Sequence, residues 1–187
     1  MDVVSHAGWG YAALRWRGAK TARWGLLAGA APDILTFVPP MVRRVMAHGW
    51  AGFSRGGNRD PGVWRAGGPP LPGELMDIYN GYYVYTHSLV ILAMVLVLVY
   101  LAGRRNLLWF GIPYAFHVLL DIPTHERFQT PFLYPISRWT FEGISWGHPL
   151  VFWPNWVALI GVHVYLAFHY RRKRLAADTA RVAEAPG

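Results

Sequence analysis

The chain contains no cysteine and few charged residues. Without Cys, it has neither disulfides nor thiolate metal ligands. Charged residues account for 15% of its 187 positions, whereas about 25% is usual in soluble globular domains. Hydrophobic residues account for 53% and aromatic residues for 16%. The length suits one domain, and this composition predicts that the domain is embedded in a membrane.

Basic residues give the chain a net charge of +8, but they do not indicate a nucleic-acid partner. They occur in short clusters beside apolar runs, within residues 15–23, 104–105 and 171–174, and no acidic residue accompanies them. Such clusters favour anionic headgroups and, by the positive-inside rule, the cytoplasmic side of a membrane. The sequence has no nucleic-acid-binding motif.

Apolar segments predict an all-α integral membrane bundle. Residues 82–102 carry no charge and reach the roughly 20 residues needed to cross a bilayer. Two further apolar helices are expected over 107–122 and 149–170, and two shorter ones over 3–14 and 24–38. The shorter ones are interpreted either as half-spans or as helices that extend into their flanks. The predicted fold therefore has about five apolar segments.

The remaining stretches predict loops. Residues 39–74 are rich in Gly, Pro and Arg, a composition typical of a long loop. Residues 1–174 are expected to form a single membrane-embedded helical domain that includes this loop, and 175–187 a flexible C-terminal tail.

Alternating helix directions would bring histidines and aspartates to one end of this bundle. If the basic clusters face the cytoplasm and the helices alternate in direction, these histidines and aspartates lie toward the non-cytoplasmic face. Their convergence predicts one shared site. The residues are His6, Asp33, His87, His117, Asp121 and His125.

The stretch HVLLDIPTH, residues 117–125, is the most specific part of this pattern. His117 and Asp121 are four positions apart and share one helix face. Imidazole and carboxylate are ligands for Zn²⁺, Mn²⁺ or Fe²⁺. Pro123 should disturb the helix and leave His125 as a marginal participant. The alternative is a hydrogen-bonded His–Asp pair that ties two helices together.

Five short motifs, in this order, resemble a known family. They are His6, Pro32-Asp33, Thr86-His87-Ser88, the HxxxDxxT motif of His117, Asp121 and Thr124, and Pro131-Phe132-Leu133-Tyr134-Pro135. Together they span residues 6 to about 138. The chain resembles the membrane-bound metal-dependent hydrolases, the YdjM-like inner-membrane proteins, which look distantly similar to the α-helical zinc-dependent phospholipase C and P1 nuclease group.

The resemblance implies a bacterial inner-membrane location and a metal-dependent hydrolase. The chain departs from the family pattern at three positions. Tyr82 and Tyr83 stand where the family often has His and Arg, and Leu35 stands where it often has a second Asp. These departures remove one or two ligands or phosphate contacts that the family would supply.

Two functions follow as hypotheses. The first is a membrane-embedded hydrolase in which a divalent ion, zinc first and manganese or iron as alternatives, acts on a phosphoester or lipid-like substrate at the membrane interface. Glu126 or Glu142 would take the proton. The second is a non-enzymatic membrane protein with a structural metal or a haem site. Membrane lipid is the expected partner of either, and the oligomeric state stays open.

Overall fold

The computed structural model describes residues 1–55, 73–126 and 128–183, and within these ranges the chain is mostly helical and has no β-strand. The all-α prediction is confirmed. The α-helices are α1 Val3–Leu14, α2 Ala19–Arg55, α3 Gly73–Ile78, α4 Val84–Thr86, α5 Leu89–Leu101, α6 Gly111–Thr124 and α7 Pro149–Ala183. A 3₁₀ turn at Arg15–Arg17 follows α1, a π-helical turn at Tyr79–Tyr83 joins α3 to α4, and a 3₁₀ helix at Arg105–Phe110 precedes α6.

Three helical stretches are long and apolar enough to cross a membrane, namely Ala19–Arg43, Arg105–Thr124 and Pro149–Arg181. A fourth is counted if Met76–Thr86 and Leu89–Leu101, bent by 45°, form one broken span. The described helices thus give fewer spans than the five predicted segments. The difference arises at α1, because 12 residues rise only about 18 Å.

The prediction for the loop is corrected by a longer helix. Of the two interpretations of segment 24–38, extension into its flanks agrees with the structure, because α2 begins at Ala19 and continues past residue 39 to Arg55, with a bend at Gly49. Pro39 and Pro40 lie inside this helix and lack the N–H that would bond four residues back, yet the helix continues through both. Residues 56–72 of the predicted loop lie outside the described residues. At the other end, α7 continues through the predicted tail to Ala183.

Close contacts fix the relative directions of the helices. Gly10 of α1 lies against Gly25 of α2, and a Cβ on either would overlap the other's carbonyl. Gly29 of α2 lies against the His6 carbonyl in the same way, so α1 and α2 are antiparallel. The side chain of Trp9 donates to Asn155 Oδ1 at 2.8 Å, which places the middle of α1 beside the second turn of α7.

The predicted continuous span 82–102 is broken at His87 and Ser88. Ser88 is extended and caps α5, where its Oγ accepts from the Ile91 N–H at 3.1 Å. The Leu89 N–H donates to the Phe132 carbonyl at 2.9 Å. The segment around Phe132 therefore occupies the break, and His87 sits buried at the bend.

The outer surface of the bundle is apolar. None of the residues of α5 is buried, although its sequence is LVILAMVLVLVYL. On α7, large apolar side chains such as Leu150 and Val157 are also exposed. An apolar surface of this extent indicates contact with lipid rather than with water.

Candidate metal centre

Four ligand atoms from two helices, α2 and α6, and from the α4–α5 bend converge inside the bundle. The Nε2 atoms of His87 and His117 are 3.1 Å apart. Asp121 Oδ2 is 3.4 Å from the first and 3.2 Å from the second. Asp33 Oδ1 is 3.6 and 3.7 Å from the same two nitrogens. All four residues are buried and could hold a metal ion.

The hydrogen bond on the far side of the His117 ring decides its tautomer. His117 Nδ1 lies 2.6 Å from the carbonyl oxygen of Gly29, which can only accept, so Nδ1 carries the proton. In the neutral ring, Nε2 then carries the lone pair. Pro32 removes a donor from this turn of α2, next to the carbonyl that His117 uses.

Two threonines orient His87 in a similar way. Thr36 donates to the Pro32 carbonyl at 2.9 Å and lies 2.6 Å from the Thr86 hydroxyl. With Thr36 donating to Pro32, the Thr86 hydroxyl donates to Thr36 and accepts from His87 Nδ1, which is 2.9 Å away. His87 Nε2 then also carries a lone pair.

With both rings in these tautomers, the four converging atoms are all acceptors. Asp121 Oδ2 is buried and has no hydrogen-bond partner, although both Nε2 atoms are nearby. A buried carboxylate oxygen without a partner is costly, and a cation among the four atoms would remove that cost. These four ligand atoms thus fit a metal ion better than the alternative of a His–Asp pair that only ties helices together.

His6 belongs to the shell around the centre. Its Nε2 is 2.8 Å from Asp121 Oδ1, and its ring stacks on His117 with centroids 3.5 Å apart. The α-amino group of Met1 also contacts Asp121 Oδ1. Through these contacts His6 holds the Asp121 carboxylate and the His117 ring, and it is not one of the four converging residues.

His125 lies just past the end of α6, as Pro123 predicts. The helix continues through Pro123 to Thr124, and His125 is in extended geometry. Its Nδ1 donates to the Asp121 carbonyl at 3.1 Å and is 3.4 Å from Asp121 Oδ1. Burial, only partly offset by Asp121, lowers the pKa of His125 to about 4, so its ring is neutral.

A cavity of about 320 Å³ borders the centre. Its lining includes aromatic side chains and three carboxylates, and one of these, Asp33, is also one of the four converging residues. Of the two acids proposed as proton acceptors, Glu126 lines this cavity, whereas Glu142 is exposed and outside the lining. His125, Phe128 and Trp146 also line it.

The three departures from the family pattern bring no further ligand to the centre. Leu35 is exposed, with 51% of its surface accessible. Tyr82 contacts Arg43 through its hydroxyl. Tyr83 is buried and stacks on the His87 ring with centroids 3.7 Å apart, so it positions a candidate ligand by packing.

The sequence indicates some of the supporting residues and not others. Thr86 is part of the THS motif, and its hydroxyl lies 2.9 Å from His87 Nδ1. Thr36 and Gly29 left no such signal, because their role depends on how α2 faces two other helices. A haem between His87 and His117 is disfavoured, since the 3.1 Å gap leaves no room for a macrocycle.

No protein-family model, no curated protein and no solved structure matches this chain. Its function must therefore be argued from the centre itself.

Proposed function

We propose that the protein is a membrane-embedded, metal-dependent hydrolase that acts on an amphiphilic ester or phosphoester. The observation that carries this proposal is the convergence of two imidazole and two carboxylate acceptors, buried and without a donor, beside an apolar cavity. The resemblance of the five sequence motifs to the YdjM-like hydrolases supports the same assignment.

The spacing of the four atoms favours zinc. Ligands about 2.0–2.2 Å from a tetrahedral ion are about 3.3–3.6 Å apart. Five of the six separations among these atoms run from 3.1 to 3.7 Å, and all six are within 4.8 Å. A set of two nitrogens and two oxygens also suits manganese or iron, which prefer more ligands. A bound divalent ion would lower the pKa of a water molecule and polarise the bond under attack.

The residues that line the cavity would bind the substrate and accept a proton. Phe37 and Phe128 give it an apolar wall that suits the body of an amphiphile. Asp33 lies at its boundary with the centre, which places a reacting group near the ion. Glu126 lines the same space and is the proton acceptor that we propose, whereas Glu142 lies outside the cavity lining.

The membrane placement follows from the same features. Helices of spanning length and apolar surface place the chain in a membrane. The positive-inside rule and the resemblance support the bacterial inner membrane, with the metal centre toward the non-cytoplasmic face. There the cavity would meet the headgroup region, which suits a lipid substrate.

The test combines metal analysis with hydrolysis by detergent-purified protein. We expect stoichiometric metal without a Soret band, and release of product from short-chain phosphodiesters or esters in micelles. Chelation should abolish product release, and zinc should restore it. Glu126→Gln should keep the metal and lose at least about 10²-fold in rate, the usual contribution of a general base.

Glu142→Gln is the matched control, because that side chain is exposed and away from the cavity. It should keep both metal and rate. Bound metal without any hydrolysis of either substrate class would contradict the enzyme assignment and favour the structural metal site. A Soret band would favour haem.

A further inference from the structure

A second cavity lies at the opposite end of the bundle from the metal centre. It has a volume of about 590 Å³ and lies between α1, α2 and α7. Arg15 is nine residues beyond His6, or about 14 Å along the helix direction. Arg15, Arg171 and Arg174 line the cavity together with Tyr170, Leu26 and Leu166.

The lining carries positive charge without compensation from the described residues. It contains three arginines and no acidic residue. Among the ion pairs of the described part of the chain, none joins one of these arginines to a carboxylate. An anion in the cavity would therefore meet guanidinium groups that no described carboxylate neutralises.

Aromatic stacking holds one of the arginines of this cavity in place. The Arg15 guanidinium carbon lies 3.8 Å from the centroid of the Tyr170 ring. Stacking on the face of a ring fixes a guanidinium while its N–H edge stays able to donate. Beside it, Tyr11 stacks on His163 with centroids 5.6 Å apart, which ties α1 to α7 at the same level.

The depth of the arginines matches a lipid headgroup. From Pro149 to Arg171 the helix α7 rises about 33 Å, close to the ~30 Å thickness of a hydrocarbon core. Trp16 and Trp24 are exposed at this end, as in an interfacial aromatic belt. Leu26 and Leu166 give the cavity an apolar wall, so the ligand should have an apolar part as well as an anionic one.

We propose that this cavity binds the phosphate of an anionic phospholipid, with an acyl chain along Leu26 and Leu166. Arginine forks match phosphate oxygens in pairs, and basic pockets between membrane helices are suited to anionic headgroups. This site is separate from the metal centre and does not depend on any hydrolytic activity.

The experiment measures thermal unfolding of the detergent-purified, full-length protein with added lipid. Dioleoyl phosphatidylglycerol should raise the midpoint more than dioleoyl phosphatidylcholine, because a ligand that binds the folded state stabilises it. In Arg15→Gln/Arg171→Gln, the lipid concentration needed for half of the shift should rise at least tenfold. Glycerol phosphate, the headgroup without chains, should give no shift at the same concentration.

Arg104→Gln/Arg105→Gln is the matched control, since it removes the same charge outside this cavity. It should keep the wild-type response to phosphatidylglycerol. An equal loss in the control, equal stabilisation by phosphatidylcholine, or a full shift with glycerol phosphate would each overturn the proposal. Bound metal at the opposite end of the bundle reports whether a variant is folded. If Arg15→Gln/Arg171→Gln loses metal, the test passes to Arg174→Gln, at an exposed position. This variant must then need more phosphatidylglycerol for half of the shift.

Discussion

At the scale of single residues, the metal centre depends on side chains whose converging atoms are acceptors and can bind a cation. We expect Asp121→Asn and His117→Ala to lose most of the bound metal, because each removes one of four converging acceptors. Asn keeps the shape of Asp but not its negative charge. Elemental analysis of the purified variants measures this, with membrane insertion as the check on folding.

His125→Ala and His6→Ala should lose less of the bound metal than those two variants. His125 is not one of the four converging residues and bonds only to the backbone carbonyl of Asp121, so His125→Ala should keep nearly all of the metal. His6 orients Asp121, and loss of such a partner typically weakens metal affinity 10–100-fold. Full metal in Asp121→Asn and His117→Ala, with loss in His125→Ala, would place the site elsewhere.

Residue types and spacing predicted the group but not the division of roles within it. Helix periodicity places His117 and Asp121 on one face, and alternation of helices adds Asp33 and His87 at the same end. Whether His6 binds a metal or holds a carboxylate depends on ångström-scale distances between α1 and α6. A sequence pattern does not carry such distances.

At the scale of helices, the close contact of α1 with α2 positions His6. Gly10→Ala should destabilise the protein by about 1–3 kcal/mol, because the added Cβ would overlap the Gly25 carbonyl and push α1 away. Bound metal should fall with it, since α1 carries His6. Thermal unfolding in detergent and metal analysis give the two measurements.

Gly161→Ala on α7 provides the control for this change. Nothing lies within 4 Å of a Cβ at that position, so only the helix propensity changes. Ala is favoured over Gly by about 1 kcal/mol in a helix interior, and the variant should be as stable as the wild type or slightly more. Equal effects of the two substitutions would show that the α1–α2 contact is not specific.

The boundaries of the helices were less predictable than their existence. Gly, Pro and Arg after residue 38 predicted a loop, yet α2 continues through Pro39 and Pro40 to Arg55. Conversely, the uncharged run 82–102 predicted one continuous helix. It breaks where Ser88 caps α5 and Leu89 bonds to Phe132, a partner more than 40 residues away.

At the scale of the whole molecule, the two ends of the bundle differ in chemistry. The metal centre and its cavity lie at one end, and the basic clusters with the second cavity lie at the other. Antiparallel neighbours produce this separation, since α1 and α7 run one way and α2 and α6 run the other. The relative directions follow from contacts, whereas the side on which each end lies follows only from the charges.

Single cysteines test that sidedness, and the chain has no native Cys to interfere. Arg105→Cys, near the basic end, should react with a membrane-impermeant maleimide only when the cytoplasmic side is opened. Ile136→Cys, 80% exposed and beside the segment that contacts Ser88, should react from outside in intact cells. The reverse pattern would invert the topology. Reaction of both from one side would mean that Arg105–Thr124 does not cross the membrane, and extraction of the unmodified protein by carbonate without detergent would exclude a spanning bundle altogether.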